Sequence, residues 1–127
     1  MTTAVSMMRG GVSAIQAQAI NGRGINTALA AAGTTQITAA SMTADFAIVT
    51  GASGTNGVIL PAGMPGDLQT IFNSSASTLL VYPPLGAAIA VPGTGLGAVN
   101  AAFSHLTFKV VTYVCISGTQ WLPNVTA

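Results

Sequence analysis

The stretch IVTGASGTNGVIL, residues 48–60, has its glycines at a spacing that could hold a dinucleotide. A β-rich run leads into Gly51, Gly54 and Gly57, which is the T-G-x-x-G-x-x-G pattern of a dinucleotide-binding turn. In such a turn the glycines open a helix, and the N-terminus of that helix binds the pyrophosphate. Here the helix-breaking segment PAGMPG follows the stretch. The pattern therefore predicts a hairpin loop and not a cofactor site.

The partner residues of a nicotinamide site are also missing. The short-chain dehydrogenases, which the glycine string resembles, need a Tyr-x-x-x-Lys pair. Tyr82 is followed four positions later by Gly86, and the sole lysine is Lys109. The acidic residue expected about 20 positions after the glycines is replaced by Ser, Thr and Leu. We therefore expect no bound cofactor and no dehydrogenase activity.

The sequence also lacks the residue sets that other catalytic sites need. His105 is the sole histidine, and a Ser-His-Asp triad would have to recruit Asp45 or Asp67. Both aspartates occupy turn positions, where a carboxylate ordinarily accepts bonds from backbone N–H groups. Two carboxylates could also cleave a glycoside, but the single tryptophan, Trp121, is better interpreted as a core or interface anchor. We expect no catalytic residues, no metal site and no enzyme.

Charge is the unusual quantity in the composition. Lys, Arg, Asp and Glu make up 4% of the 127 residues, where soluble domains carry about 25%. A monomer with so few charges has little protection against association, so we expect other protein to cover much of the surface. The alternative is a surface kept wet by its many Thr, Ser, Asn and Gln side chains. A net charge of +1 without a basic cluster argues against nucleic acid as a partner.

Membrane insertion is not expected despite the apolar composition. The most apolar stretch, residues 79–102, is broken by Pro83, Pro84 and Pro92 and cannot run as about 20 helical residues. The N-terminal MTTAVSMMRGG lacks the basic and apolar regions of a secretory signal. Cys115 is the one cysteine, which excludes an internal disulfide and indicates a buried thiol.

From about Thr34 onward, short β-branched and aromatic runs alternate with turn residues. In chain order the runs are TQITAASM, DFAIVT, GVIL, DLQTIF, TLLVY, GAAIAV, HLTFKVV, TYVCIS and TQWL. This spacing predicts an all-β fold over residues 34–127, a single jelly-roll-like β-sandwich of short antiparallel strands. Residues 1–33 carry glycine pairs and no aromatic residue. We expect them to form an N-terminal arm, extended or with a short helix over residues 12–21.

Residues 33–122 resemble a small β domain of tailed-bacteriophage structural proteins. Six motifs in order carry the resemblance: GTTQ at 33–36, TAD at 43–45, GVILP at 57–61, GDLQTIFN at 66–73, LVYP at 80–83 and TQW at 119–121. The resemblance covers the β part of the chain and none of the arm. It implies a non-enzymatic virion component, either a capsid decoration (cement) protein or part of a tail fibre or baseplate.

A short arm followed by one compact β domain favours the decoration protein. Such a protein would bind the outer surface of the phage head and stabilise it, with the major capsid protein as partner. It would be made in the host bacterial cytoplasm and end up in the virion. The alternatives are a tail-fibre or baseplate component and a host-surface carbohydrate adhesion module. An adhesion module would need exposed aromatic side chains, for which Tyr82, Tyr113 and Trp121 are the candidates.

Two sets of contact residues are expected. Within residues 105–116 the even positions are the more apolar and are predicted to face the core, while the odd positions become apolar only at the end. Covering that end and the charge-free segment 86–103 would require a homo-oligomer, and the resemblance implies a trimer. The predicted interface residues are Ala88, Ile89, Val91, Leu96, Val111, Tyr113 and Trp121. The predicted capsid contacts of the arm are Met7, Met8, Arg9, Ile15, Ile20 and Arg23.

Overall fold

The computed structural model describes residues 24–125, which fold into ten β-strands and contain no helix. The strands are β1 (Ile25–Ala30), β2 (Ala40–Ser41), β3 (Phe46–Thr50), β4 (Gly57–Ile59), β5 (Leu68–Asn73), β6 (Leu79–Tyr82), β7 (Ala88–Ile89), β8 (Phe103–His105), β9 (Val110–Ser117) and β10 (Gln120–Val125). The prediction of an all-β fold is confirmed.

The strands form two sheets, and the chain changes sheet after almost every strand. The six-stranded sheet has the order β1-β3-β5-β9-β10-β7, and the four-stranded sheet has the order β2-β4-β6-β8. From β1 to β9 each strand lies in the sheet opposite to the strand before it, and only β9 and β10 are consecutive neighbours. The first six strands therefore wind as a coil, with one strand in each sheet per turn.

This winding contradicts the prediction of antiparallel strands. The pairs β1–β3, β3–β5, β2–β4, β4–β6 and β7–β10 are parallel. The pairs β5–β9, β9–β10 and β6–β8 are antiparallel. Parallel neighbours need a crossover connection, for which most folds use a helix. Here the crossover is a strand of the other sheet, and an alternation pattern along one strand carries no information about that choice.

Two loops connect strands of different sheets, because the chain alternates between the sheets. GASGTNG connects β3 in one sheet to β4 in the other, and residues 74–78 connect β5 to β6 across the same gap. The prediction that GASGTNG forms a hairpin loop is wrong. Both segments are crossings between sheets.

The boundary of the arm also moves. Strand β1 pairs in parallel with β3, and Gly24 O accepts bonds from Asp45 N and Phe46 N at 3.1 and 3.2 Å. Residues 25–33 thus belong to the β fold and not to an arm that ends at residue 33. The predicted helix at 12–21 and the predicted capsid contacts Met7, Met8, Arg9, Ile15, Ile20 and Arg23 lie outside the described residues.

One hydrophobic core receives side chains from both sheets. The four-stranded sheet contributes Val58, Leu79 and Val81, and the six-stranded sheet contributes Val49 and Ile71, all with no exposed surface. Tyr113 and Trp121 are the largest side chains in this core. Their aromatic area makes them major contributors to the burial that stabilises the fold.

The facing of β9 is the reverse of the prediction. Val111, Tyr113 and Cys115 are buried, whereas Val110 and Ile116 are exposed. The even positions hold more aliphatic residues, but the odd positions are the ones that face the core. There the hydroxyl of Tyr113 forms a hydrogen bond with His105. A strand with apolar residues on both faces does not by itself specify which face is inside.

Candidate interaction site

The glycines of the dinucleotide-like stretch allow the tight backbone turns and the close strand contact of the β3–β4 crossing between the sheets. Gly51 and Gly54 have φ angles of 73° and 90°, which only glycine adopts without strain. A side chain on Gly57 would collide with the backbone carbonyl of Leu80 on the adjacent strand β6. Strand β4 follows directly, where a dinucleotide site needs a helix.

The residues considered for catalysis are held in structural roles. His105 has no exposed surface and bonds to Tyr113 Oη and Lys109 O, not to a carboxylate. Asp67 accepts a bond from Met64 N at 2.8 Å, the turn role expected for it. Within residues 24–125 no three His, Cys, Asp or Glu side chains are grouped closely enough to hold a metal ion.

A buried polar network surrounds His105. Its Nε2 lies 2.7 Å from Lys109 O, and its Nδ1 lies 3.0 Å from Tyr113 Oη. A carbonyl only accepts, so Nε2 carries a proton and donates it. In the neutral ring, which burial favours, Nδ1 is unprotonated and accepts from Tyr113 Oη, so both ring nitrogens are bonded.

Burial determines the titration of this network. Loss of hydration lowers the pKa of His105 below its ordinary value, partly opposed by the bond to Lys109 O. Loss of hydration also raises the pKa of Tyr113 well above its ordinary value. Both shifts keep the pair neutral.

Asn73, at the end of β5, ties this network to two turns. Its Nδ2 donates to Ser77 O at 2.9 Å and to His105 O and Leu106 O at 3.3 and 3.4 Å. Its backbone N donates to Lys109 O, and its backbone O accepts from Phe108 N at 2.9 Å. Asn73 has no exposed surface. The turn at residues 105–109 is thus clamped by fully buried groups.

The most exposed side chains of this turn are apolar. Leu106 is 57% exposed and Phe108 is 61% exposed. Phe108 also has a φ of 54°, in the left-handed region that a bulky side chain enters at a cost of about 1–2 kcal/mol. We call residues 105–109 the Phe108 turn. It is a strained turn on a rigid base that presents an aromatic ring to solvent, and strain of this kind concentrates at binding sites.

Trp121 and Cys115 form a second buried contact, beside Gly63. Both side chains are 1% exposed, and a side chain added at Gly63 would press on the indole ring. Cys115 Sγ donates to Ser117 O at 3.1 Å, and burial, with a contribution from Asp67, raises the pKa of the thiol. The indole Nε1 is buried and has no hydrogen-bond partner. The predicted buried thiol is confirmed, and Trp121 is a core anchor.

Five of the seven predicted interface residues are buried within a single chain. Ala88, Ile89, Val111, Tyr113 and Trp121 are each at most 5% exposed within a single chain. Their apolar surface is already covered by intrachain packing, so these five side chains offer little surface to another copy. Val91 and Leu96 lie in the β7–β8 connection and remain accessible, at 40% and 80% exposed.

Sequence reasoning missed Asn73 and the Phe108 turn. Asn73 bonds to a second turn more than 30 residues away, and no local pattern reveals such a contact. The assumption that residues 105–111 continue as one strand placed Leu106 and Phe108 in the core. Thr107 and Phe108 are residue types common in strands, so no local signal marks this turn.

Comparison with protein-family models, with curated proteins and with solved structures finds no match to this chain. Within the described range there is no helix with the length and apolar character needed to cross a membrane.

Proposed function

We propose that this chain is a non-enzymatic structural protein of a tailed-bacteriophage virion, a capsid decoration protein that binds the outer surface of the head and stabilises it. Its partner in this proposal is the major capsid protein. The resemblance of residues 33–122 to phage β domains supports the class. The scarcity of charge supports a surface that is covered in an assembly.

The observation that carries the proposal is the Phe108 turn. Exposed aromatic side chains on a rigid base are typical anchors of protein interfaces, where a few such residues supply most of the binding free energy. The Asn73 and His105 bonds hold the turn before any partner arrives, so little ordering entropy is lost on binding. We infer that Leu106 and Phe108 insert into the partner.

Two finer features belong to the proposal. We infer that the two sheets pack face to face as a β-sandwich, because residues from both line one core. Five parallel strand pairs give no support to the jelly-roll form of that sandwich. The predicted trimer depended largely on residues that are buried within one chain, so its threefold symmetry stands on the resemblance alone.

The carbohydrate adhesion module is the weaker candidate. Tyr82, Tyr113 and Trp121, the aromatics proposed to stack on sugars, are at most 9% exposed. A tail-fibre or baseplate location remains the runner-up, since the Phe108 turn would serve as an anchor there equally well.

The test uses undecorated phage heads and two variants of one residue. Phe108→Ala removes the ring and keeps a strained backbone, whereas Phe108→Gly removes the ring and relieves the strain. We expect both to lose head binding in a sedimentation assay, with Phe108→Gly more stable than Phe108→Ala by about 1 kcal/mol in urea.

Ile37→Ala is the matched control, because Ile37 is 81% exposed and lies in the β1–β2 connection. It should bind heads as the unmodified chain does. If neither the unmodified chain nor the control binds heads, the decoration role is wrong. If Phe108→Ala binds as tightly as the unmodified chain, the Phe108 turn is not the anchor.

A further inference from the structure

The outer face of the six-stranded sheet is apolar across its neighbouring strands. Leu68 on β5, Ile116 on β9 and Leu122 on β10 are 46–51% exposed. The register makes the face continuous, since Leu68 lies opposite Val114 and Val114 lies opposite Leu122. A second row joins Ile48, Phe72 and Val110. These rows, together with Ile25 on β1, which is 68% exposed and lies opposite Phe46 on β3, are called the outer face below.

No charged residue of the described chain lies within these rows. Asp45, Asp67 and Lys109 each stand one position before a strand begins, ahead of β3, β5 and β9. The polar centre of the outer face is Thr70 and Thr112, whose hydroxyls meet at 3.1 Å. These hydroxyls bond to each other, and the exposed amide of Asn124 on β10 lies opposite Thr112. Covering the face therefore breaks no charge hydration, and the exposed polar group it covers in this row is one amide.

The size of the outer face reaches the lower end of what a specific interface needs. The five adjacent strands β1, β3, β5, β9 and β10 contain 6, 5, 6, 8 and 6 residues. At about 4.8 Å per strand and about 3.3 Å per residue, they cover about 500 Å² in plan. Two such faces together reach the ~1,000 Å² of total area that a biological interface should bury.

We propose that the outer face binds the outer face of a second copy of this chain, which forms a dimer. A second copy presents the same uncharged rows, so the contact has no like-charge repulsion and leaves no charge unpaired. A face that pairs with the same face of a second copy is fully used by that contact, which closes the assembly at two copies about a twofold axis. This inference replaces the threefold symmetry predicted from the sequence with a twofold axis, and it does not depend on a phage partner.

Light scattering on the full chain tests the proposal. We expect a mass of twice the chain at micromolar concentration. Leu68→Lys and Leu122→Lys each place a charge in the same row, and both positions are exposed enough for the single chain to fold. Each should weaken dimerisation by at least about a hundredfold, with a circular dichroism spectrum like that of the unmodified chain.

Leu96→Lys is the matched control, because it adds the same charge at a position 80% exposed in the β7–β8 connection. It should leave the dimer intact. Dissociation by Leu96→Lys but not by the outer-face variants would place the interface at the connection and overturn the proposal. A monomeric full chain that dimerises only after residues 1–22 are deleted would show that this segment covers the face, and would also overturn it.

The two proposals fail separately. A dimer sensitive to Leu122→Lys that does not bind heads keeps this inference and removes the decoration role. A monomer that binds heads through Phe108 does the opposite.

Discussion

His105 shows how one buried polar residue can hold a surface feature in place. It bridges Lys109 O, at the end of the Phe108 turn, to Tyr113 on β9. Both ring nitrogens are bonded and the ring has no exposed surface, so the chain avoids the cost of an unpaired buried group. The exposed part of the site therefore depends on a residue that no partner touches.

The lowered pKa of His105 predicts an acid-sensitive fold. The unfolded chain takes up a proton on this ring near its ordinary pKa of about 6.5, before the folded chain does. The stabilising contribution is therefore complete above that pH and is lost as the pH falls through the folded pKa. Urea midpoints measured from pH 7.5 down to pH 5 should fall.

His105→Gln removes the titrating group and should flatten this pH dependence, although the lost bonds cost about 1–3 kcal/mol at neutral pH. An equal slope in the variant and the unmodified chain would assign the acid sensitivity to other groups.

At the scale of elements, close approach between strands determines where glycine is required. Gly57 begins β4 and lies against the backbone of Leu80 on β6, whereas Gly118, in the β9–β10 turn, has open space around it. Both are glycines in a glycine-rich sequence, and only their neighbours distinguish them.

Gly57→Ala should destabilise the fold by about 2 kcal/mol, because β4 and β6 must separate to admit the methyl group. Gly118→Ala, without a contact or a positive φ, should change stability by less than about 0.5 kcal/mol. Chemical denaturation of the two variants gives the comparison. Equal effects would mean that the β4–β6 contact is looser than described.

At the scale of the whole molecule, the fold starts earlier than the change in sequence pattern. Strand β1 covers one edge of β3, and Leu29 packs partly against the core. A chain that loses β1 exposes β3 as an unpaired parallel edge.

Deletion of residues 2–22 should therefore leave a cooperative β fold, while deletion of residues 2–32 should lower the free energy of unfolding by about 2 kcal/mol or more. Urea unfolding followed by tryptophan fluorescence compares the two, since Trp121 is buried. The shorter deletion should also weaken head binding, if the arm contacts the capsid as predicted. Equal stability of the two truncated chains would mean that β1 does not stabilise the fold and belongs to the arm.

The sequence by itself determined the all-β class, the absence of a helix after Gly57, and the burial of Cys115. Each of these depends on local properties: β-branched runs, prolines that forbid a helix, and the apolar character of a lone thiol. Most of the strand positions followed from the same local pattern.

Tertiary structure decided strand direction, the buried face of β9 and the candidate site. Parallel pairing depends on where the chain crosses between sheets, which no local run encodes. The burial of Tyr113 in place of Ile116 depends on a hydrogen bond to His105 in another strand. Phe108 is exposed because Asn73, more than 30 residues earlier, holds its turn in a left-handed conformation. These choices come from contacts between residues distant in sequence.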